Sequence, residues 1–132
     1  MSAIKIQGRK ITDFLFHVDP NLKTAQLKVD IKVSIGRPLE KQEYDAQIAV
    51  HVDVHAEDID AFHLTITECF RLVFEEEPSD IKEVLLGYFQ DECLNIVYED
   101  IDNAMIGIGQ SPIKLKENNA DFDEPANDGE TP

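Results

Sequence analysis

Two stretches in the first half of the chain leave little freedom in what it can fold into. Leu27, Val29, Ile31, Val33 and Ile35 alternate with Lys28, Asp30, Lys32 and Ser34. Tyr44, Ala46, Ile48, Val50, Val52 and Val54 then alternate with Asp45, Gln47, His51, Asp53 and His55. A period of two puts one set of side chains on each face of a strand. Each run therefore predicts a strand with one apolar face and one wet face. Gly36-Arg37-Pro38 ends the first run, and Ala56–Asp60 forms a polar turn after the second. Phe62, Leu64 and Ile66 continue the pattern against His63, Thr65 and Thr67. Near Glu68 the phase is expected to slip, with a bulge turning that acid outward, because Phe70, Leu72 and Phe74 otherwise share its face. An earlier strand over about Ile4–Val18 is less regular, with Ile11 and Leu15 out of phase and a bend at Gly8.

The second half changes period. Pro78-Ser79-Asp80 is a helix start signal, and Asp80 with Glu83 fits a capping box. Ile81, Val84, Leu85 and Tyr88 follow helical spacing, and Cys93, Leu94, Val97, Ile101, Ala104 and Met105 resume it. Gly87 sits inside the pattern, so a kink or break is expected over Gly87–Asp91. Gly107 and Gly109 can end the helix. Strands followed by helices predict an α+β fold: a four-stranded antiparallel meander sheet with two helices packed on one face.

Charge divides the chain. The formal net charge is −15. The segment Glu117–Pro132 holds six of the acids, no base and one large apolar residue, Phe122. It has too little to bury and reads as an acidic disordered tail. Residues 1–116 form one domain that is itself acidic. Such a surface repels phosphate backbones and anionic lipid, which disfavours nucleic-acid and membrane partners. No apolar run approaches a membrane span or a signal peptide, so the expected location is cytoplasmic. Cys69 and Cys93 form no CxxC pair and read as small core residues.

Catalytic motifs are absent. No serine lies in a GxSxG turn, and Gly107-Ile-Gly109 is not a phosphate loop. The sharpest constellation is His51-Val-Asp53-Val-His55. Two imidazoles and a carboxylate are suitable metal ligands. Next-but-one neighbours on one straight strand stand ~7 Å apart, which is wide for a single ion. The trio therefore reads as a polar strand face, pH-sensitive at most, although His63 on the adjacent strand adds a nearby imidazole. No enzyme activity, metal or cofactor is expected.

Several segments are familiar. Ile4-Lys-Ile6-Gln7 through Asp13-Phe-Leu-Phe16, then Leu27-Lys-Val-Asp-Ile31 and Tyr44-Asp-Ala-Gln-Ile48-Ala-Val50, resemble the first three strands of the export chaperone SecB. Phe70-Arg71-Leu72, Leu86-Gly-Tyr-Phe89 through Cys93-Leu-Asn-Ile96-Val-Tyr98-Glu99, and Pro112-Ile-Lys-Leu115 resemble later parts of that family, in order. The chain looks closer still to small SecB-like proteins of Gram-positive bacteria. The resemblance implies a cytoplasmic, ATP-independent holdase that assembles as a dimer or a dimer of dimers and binds unfolded polypeptide in apolar grooves. By position, Val29, Ile31 and Cys69 fall on groove residues, and ordinary core is an equal reading of Val29 and Ile31. The family's acidic motor-docking surface falls on Asp13, His17 and His63, where two acids are replaced by histidine. The family's prolines at the helix break are missing too. These departures favour, as the alternative, a SecB-fold interaction protein with one dedicated partner.

Overall fold

The structure is a computed structural model and describes residues 4–23, 26–37, 46–76 and 79–115. Tyr44, Pro78 and the acidic segment Glu117–Pro132 lie outside the described residues. Four strands come first: β1 (Ile4–Val18), β2 (Leu27–Gly36), β3 (Ala46–Ala56) and β4 (Phe62–Phe74). The helical part follows as α1 (Ile81–Tyr88), a π turn (Phe89–Cys93) and α2 (Leu94–Gly107).

All strand pairs are antiparallel, and the spatial order is β1-β4-β3-β2. The α+β class and the four-stranded antiparallel sheet are as expected. The meander holds only for β2 to β4. β1 lies beside β4, the last strand, in the manner of a Greek key. Side-chain period assigns faces, not neighbours, so the alternation carried no information on this point. Asp19 closes the corner. Its N–H donates to the Ala61 carbonyl at 2.9 Å, and its Oδ1 accepts from Asn21 N–H.

Registers place Val29, Ile31, Val33 and Ile35 on the same face as Ile48, Val50, Val52 and Val54 of β3 and Leu64, Ile66, Phe70 and Leu72 of β4. The central strands β3 and β4 bury every residue of that face. β1 joins them after two register shifts, between Ile6 and Gly8 and between Ile11 and Asp13. Gln7 and Thr12 are the extra residues. Each bulge flips the phase, so Ile4, Ile6, Arg9, Ile11, Phe14, Phe16 and Val18 all face the core side. Ile11 is thus in phase, while Leu15 points to the other face. A Cβ at Gly8 would stand 3.0 Å from the Arg71 guanidinium, a close approach that this flexible side chain can relieve.

Leu85, Phe89, Cys93, Val97, Ile101 and Met105 of the helical part are buried with this face in one core. Their spacing is four residues throughout. On an uninterrupted α-helix such a row drifts by ~40° per step and leaves the core. The π turn, with its one extra residue, turns the rest of the helix back by ~100°. The expected break at Gly87–Asp91 is therefore a π turn two residues further on. Tyr88, Phe89 and Leu94 keep right-handed helical dihedrals, so the two helical segments run on as one rod. Asp80 caps it by accepting from Glu83 N–H at 3.2 Å. Asp102 accepts from the N–H groups of both Ile113 and Lys114 at 3.0 Å, tying the exit segment to α2.

Gly87 has open space where a Cβ would go. Gly87→Ala is expected to raise stability by about 1 kcal/mol, since alanine costs the helix less entropy. A urea midpoint that does not move would show a constraint at Gly87 beyond helix propensity.

Candidate functional site

Among the described residues, helices cover one face of the sheet. The core-side face and the open face therefore offer different chemistry.

On the core side the cover thins over β1. Ile11 and Phe14 are 45% and 39% exposed. Every other apolar residue on that face of the four strands is buried or half-buried. A groove of about 470 Å³ lies between β1 and α2, lined by Arg9, Lys10, Ile11, Glu68, Asp100, Asn103 and Ala104. Glu68 is 1% exposed, so it does not turn outward. It stays in phase opposite Val50 and Ile11, and the bulges sit in β1 instead. A long edge strand absorbs an extra residue more easily than a strand paired on both sides.

Glu68 shares a hydrogen bond with Asp100, which requires a proton on the pair. Burial pushes the Glu68 carboxyl up to about 8, the neighbouring Asp100 charge adds to that, and Arg9 opposes it. Arg9 reaches Asp100 at 3.5 Å from a half-exposed position. The second Glu68 oxygen, Oε1, has no hydrogen-bond partner among the described residues. The groove thus sets Ile11 and Ala104 among charged and polar side chains beside the buried Glu68, on an edge strand whose outer backbone edge pairs with no described strand.

On the open face the registers align all four histidines of the chain. Lys28, His55, His63 and His17 form one row across the sheet, and Lys32, His51, Thr67 and Asp13 another. Between them Asp53 stands opposite Asp30 on one side and Thr65 on the other. Asp53 holds two imidazoles: His55 Nδ1 lies 3.0 Å from Oδ1 and His63 Nε2 lies 3.2 Å from Oδ2. Partial burial pushes the Asp53 carboxyl up, but hydrogen bonds from His63 and His55 outweigh it and leave the net shift downward. His51 turns away, with Nδ1 2.8 Å from Thr67 Oγ1. A shallow pocket of about 290 Å³ is lined by Asp30, Lys32, His51, Asp53, His55 and Ile59.

The residues singled out from sequence divide between these faces. Ile31 is buried and Val29 half-buried on the core side, beneath β2. Cys69 is half-buried on the open face, between Ala49 and Lys10. The three do not line one groove. Asp13, His17 and His63 do share a face, and His17 and His63 are direct cross-strand partners. Ile11, Phe14, Glu68 and Asp100 were not singled out. Ile11's exposure shows only once the bulges in β1 are known.

No protein-family model and no curated protein sequence matches this chain. Among solved structures, the fold is similar to that of a Mycobacterium tuberculosis SecB-like chaperone, Rv1957, solved in complex with a ChAD peptide from the HigA1 antitoxin Rv1956. The similarity covers 83% of each chain, with a TM-score of 0.59 and 6% sequence identity. The chain therefore has a SecB-like fold. At that identity the likeness carries fold alone.

Proposed function

We propose that this chain is a non-enzymatic, homo-oligomeric polypeptide-binding protein that holds an extended segment of unfolded chain in the groove between β1 and α2. The observation that carries the reading is the exposure of Ile11 and Phe14 on the face that the rest of the sheet buries. Exposed apolar side chains beside an open strand edge suit an extended peptide. The edge offers main-chain hydrogen bonds, and Ile11 and Phe14 offer apolar contact to side chains of the segment. The net charge of −15 favours encounter with basic segments. That a SecB-like protein of similar fold was solved with a peptide supports a polypeptide ligand.

The test is an anisotropy titration with a labelled, permanently unfolded polypeptide, its folded form serving as control. Binding of the unfolded form alone is expected, with a Kd of about 10 µM or tighter. The Ile11→Ser, Phe14→Ser double variant should weaken it at least tenfold, as loss of two buried apolar side chains implies. Both residues are exposed, so the fold should be unaffected. Equal binding by the double variant, or no binding by the wild type, overturns the groove.

A second reading has its own observation. Asp13, His17 and His63 share the open face, with exposed Leu15 between Asp13 and His17. This face suits docking of one folded partner, with or without a client in the groove. Absence of unfolded-polypeptide binding by the wild type, with capture of a folded protein that His17→Ala, His63→Ala abolishes, would favour this face.

A further inference from the structure

We propose that Asp30, Asp53 and His55 on the open face form a divalent metal site of the zinc class, with His63 positioning Asp53. The expectation of no metal rested on the spacing of His51, Asp53 and His55 along one strand. The structure changes the set. His51 is turned to Thr67, and Asp30 enters from the neighbouring strand β2, directly opposite Asp53. One ligand atom from each of Asp30, Asp53 and His55 lies within 4.8 Å of the other two.

The distances suit an ion. Around a metal with bonds of about 2.0–2.1 Å, adjacent ligand atoms stand roughly 2.9–3.4 Å apart. Asp53 Oδ1 and His55 Nδ1 are already 3.0 Å apart. Asp30 is exposed on the sheet surface, with a ligand atom within 4.8 Å of those of Asp53 and His55. Imidazole with two carboxylates is a borderline donor set, suited to zinc and its first-row neighbours rather than to calcium or magnesium. His63 Nε2, 3.2 Å from Asp53 Oδ2, occupies the place of an outer hydrogen-bond partner that orients a metal-bound carboxylate. Three protein ligands leave a fourth position open toward the solvent side of the pocket. The cations facing the site are Lys28 and Lys32, opposite His55 and His51. They oppose the two carboxylates and hold the affinity to a moderate level.

Metal-free protein titrated with Zn2+ in a calorimeter, and separately with Co2+ followed by visible absorption, tests the site. A Zn2+ Kd of about 10 µM or tighter is expected, with Asp53→Asn and His55→Ala each weakening it at least tenfold. His63→Ala should weaken it by about 10–100-fold, as outer-partner losses do. Cys69→Ser should leave it within about twofold, the ordinary effect of a residue outside the site. The Co2+ spectrum should lack a sulfur charge-transfer band. Should Asp53→Asn melt early, Asp30→Asn is the substitute, because Asp30 is exposed. Binding unchanged in the Asp53, His55 and Asp30 variants places the metal elsewhere and overturns the site. So does a wild-type Kd weaker than about 100 µM.

Discussion

Glu68→Gln is expected to be more stable than the wild type at pH 8.5, by several kcal/mol, and close to it at pH 5. Glu68 stands in the core side of β4, opposite Val50, with Asp100 of α2 as its hydrogen-bond partner. Burial first, and then the Asp100 charge, push its carboxyl up to about 8 in the folded chain, from an ordinary 4.5. In the unfolded chain it releases its proton near the ordinary value. Between about pH 4.5 and 8 the native state therefore binds one more proton than the unfolded state. Stability falls as pH rises through that window, and the loss is complete above the folded value. Glutamine mimics the protonated acid: it is neutral, has nearly the same shape and can still donate to Asp100. The variant should therefore lack this slope. Other groups contribute their own pH dependence, so the informative quantity is the difference between the two proteins. Urea unfolding of both at pH 5, 6.5 and 8.5 measures it. Parallel profiles would show that Glu68 ionises normally and that the acid pair with Asp100 does not form.

The same residue shows what periodicity conveys and what it does not. Alternation in β2 and β3 gave both faces correctly, because each is a regular strand with a covered and an uncovered side. In β4 the phase is equally plain, but an acid within it predicts a bulge that the structure does not have. A charge on an apolar face is costly only when unpaired. Asp100, 32 positions later on a helix, supplies the partner and shares the proton, and a local reading cannot see it. β1 failed for the opposite reason. Its bulges at Gln7 and Thr12 shift the phase twice, so Ile11 looked misplaced when it was aligned. The same shifts hid the groove, since Ile11 and Phe14 share a face only across a bulge. The open face was half legible. Strand spacing puts His51, Asp53 and His55 together with His63 on the adjacent strand, but Asp30 enters from β2 only through the register, and His51 turns to Thr67. Strand order stayed out of reach because the link from β1 to β2 fits either neighbour.

Ile31→Asp is expected to abolish cooperative folding or to cost more than about 4 kcal/mol, a loss confined to a short list of mechanisms. Ile31 is 1% exposed on β2 and stands opposite Val52, itself fully buried. An aspartate there loses the apolar contacts of isoleucine and places a carboxylate among Val33, Val50 and Val52, which offer no side-chain donor. Slipping β2 by one residue gives no escape, since it would drive Lys28, Asp30 and Lys32 into the core. Two comparisons make the result informative. Ile31→Ala leaves a cavity without a charge and should cost about 2–4 kcal/mol. Lys32→Asp, on the open face one residue along, should change stability by less than about 0.5 kcal/mol. The resemblance to the export chaperone family placed Ile31 in a client groove, whereas the structure places it in the core. The two assignments separate in one experiment, with urea unfolding and polypeptide binding measured on the same variants. A core residue takes stability with it, so binding is lost only as folding is lost. A groove residue would leave the melt in place and remove binding. An unaltered melt for Ile31→Asp with weakened binding would move the client site from β1 and α2 to the β2 side of the sheet.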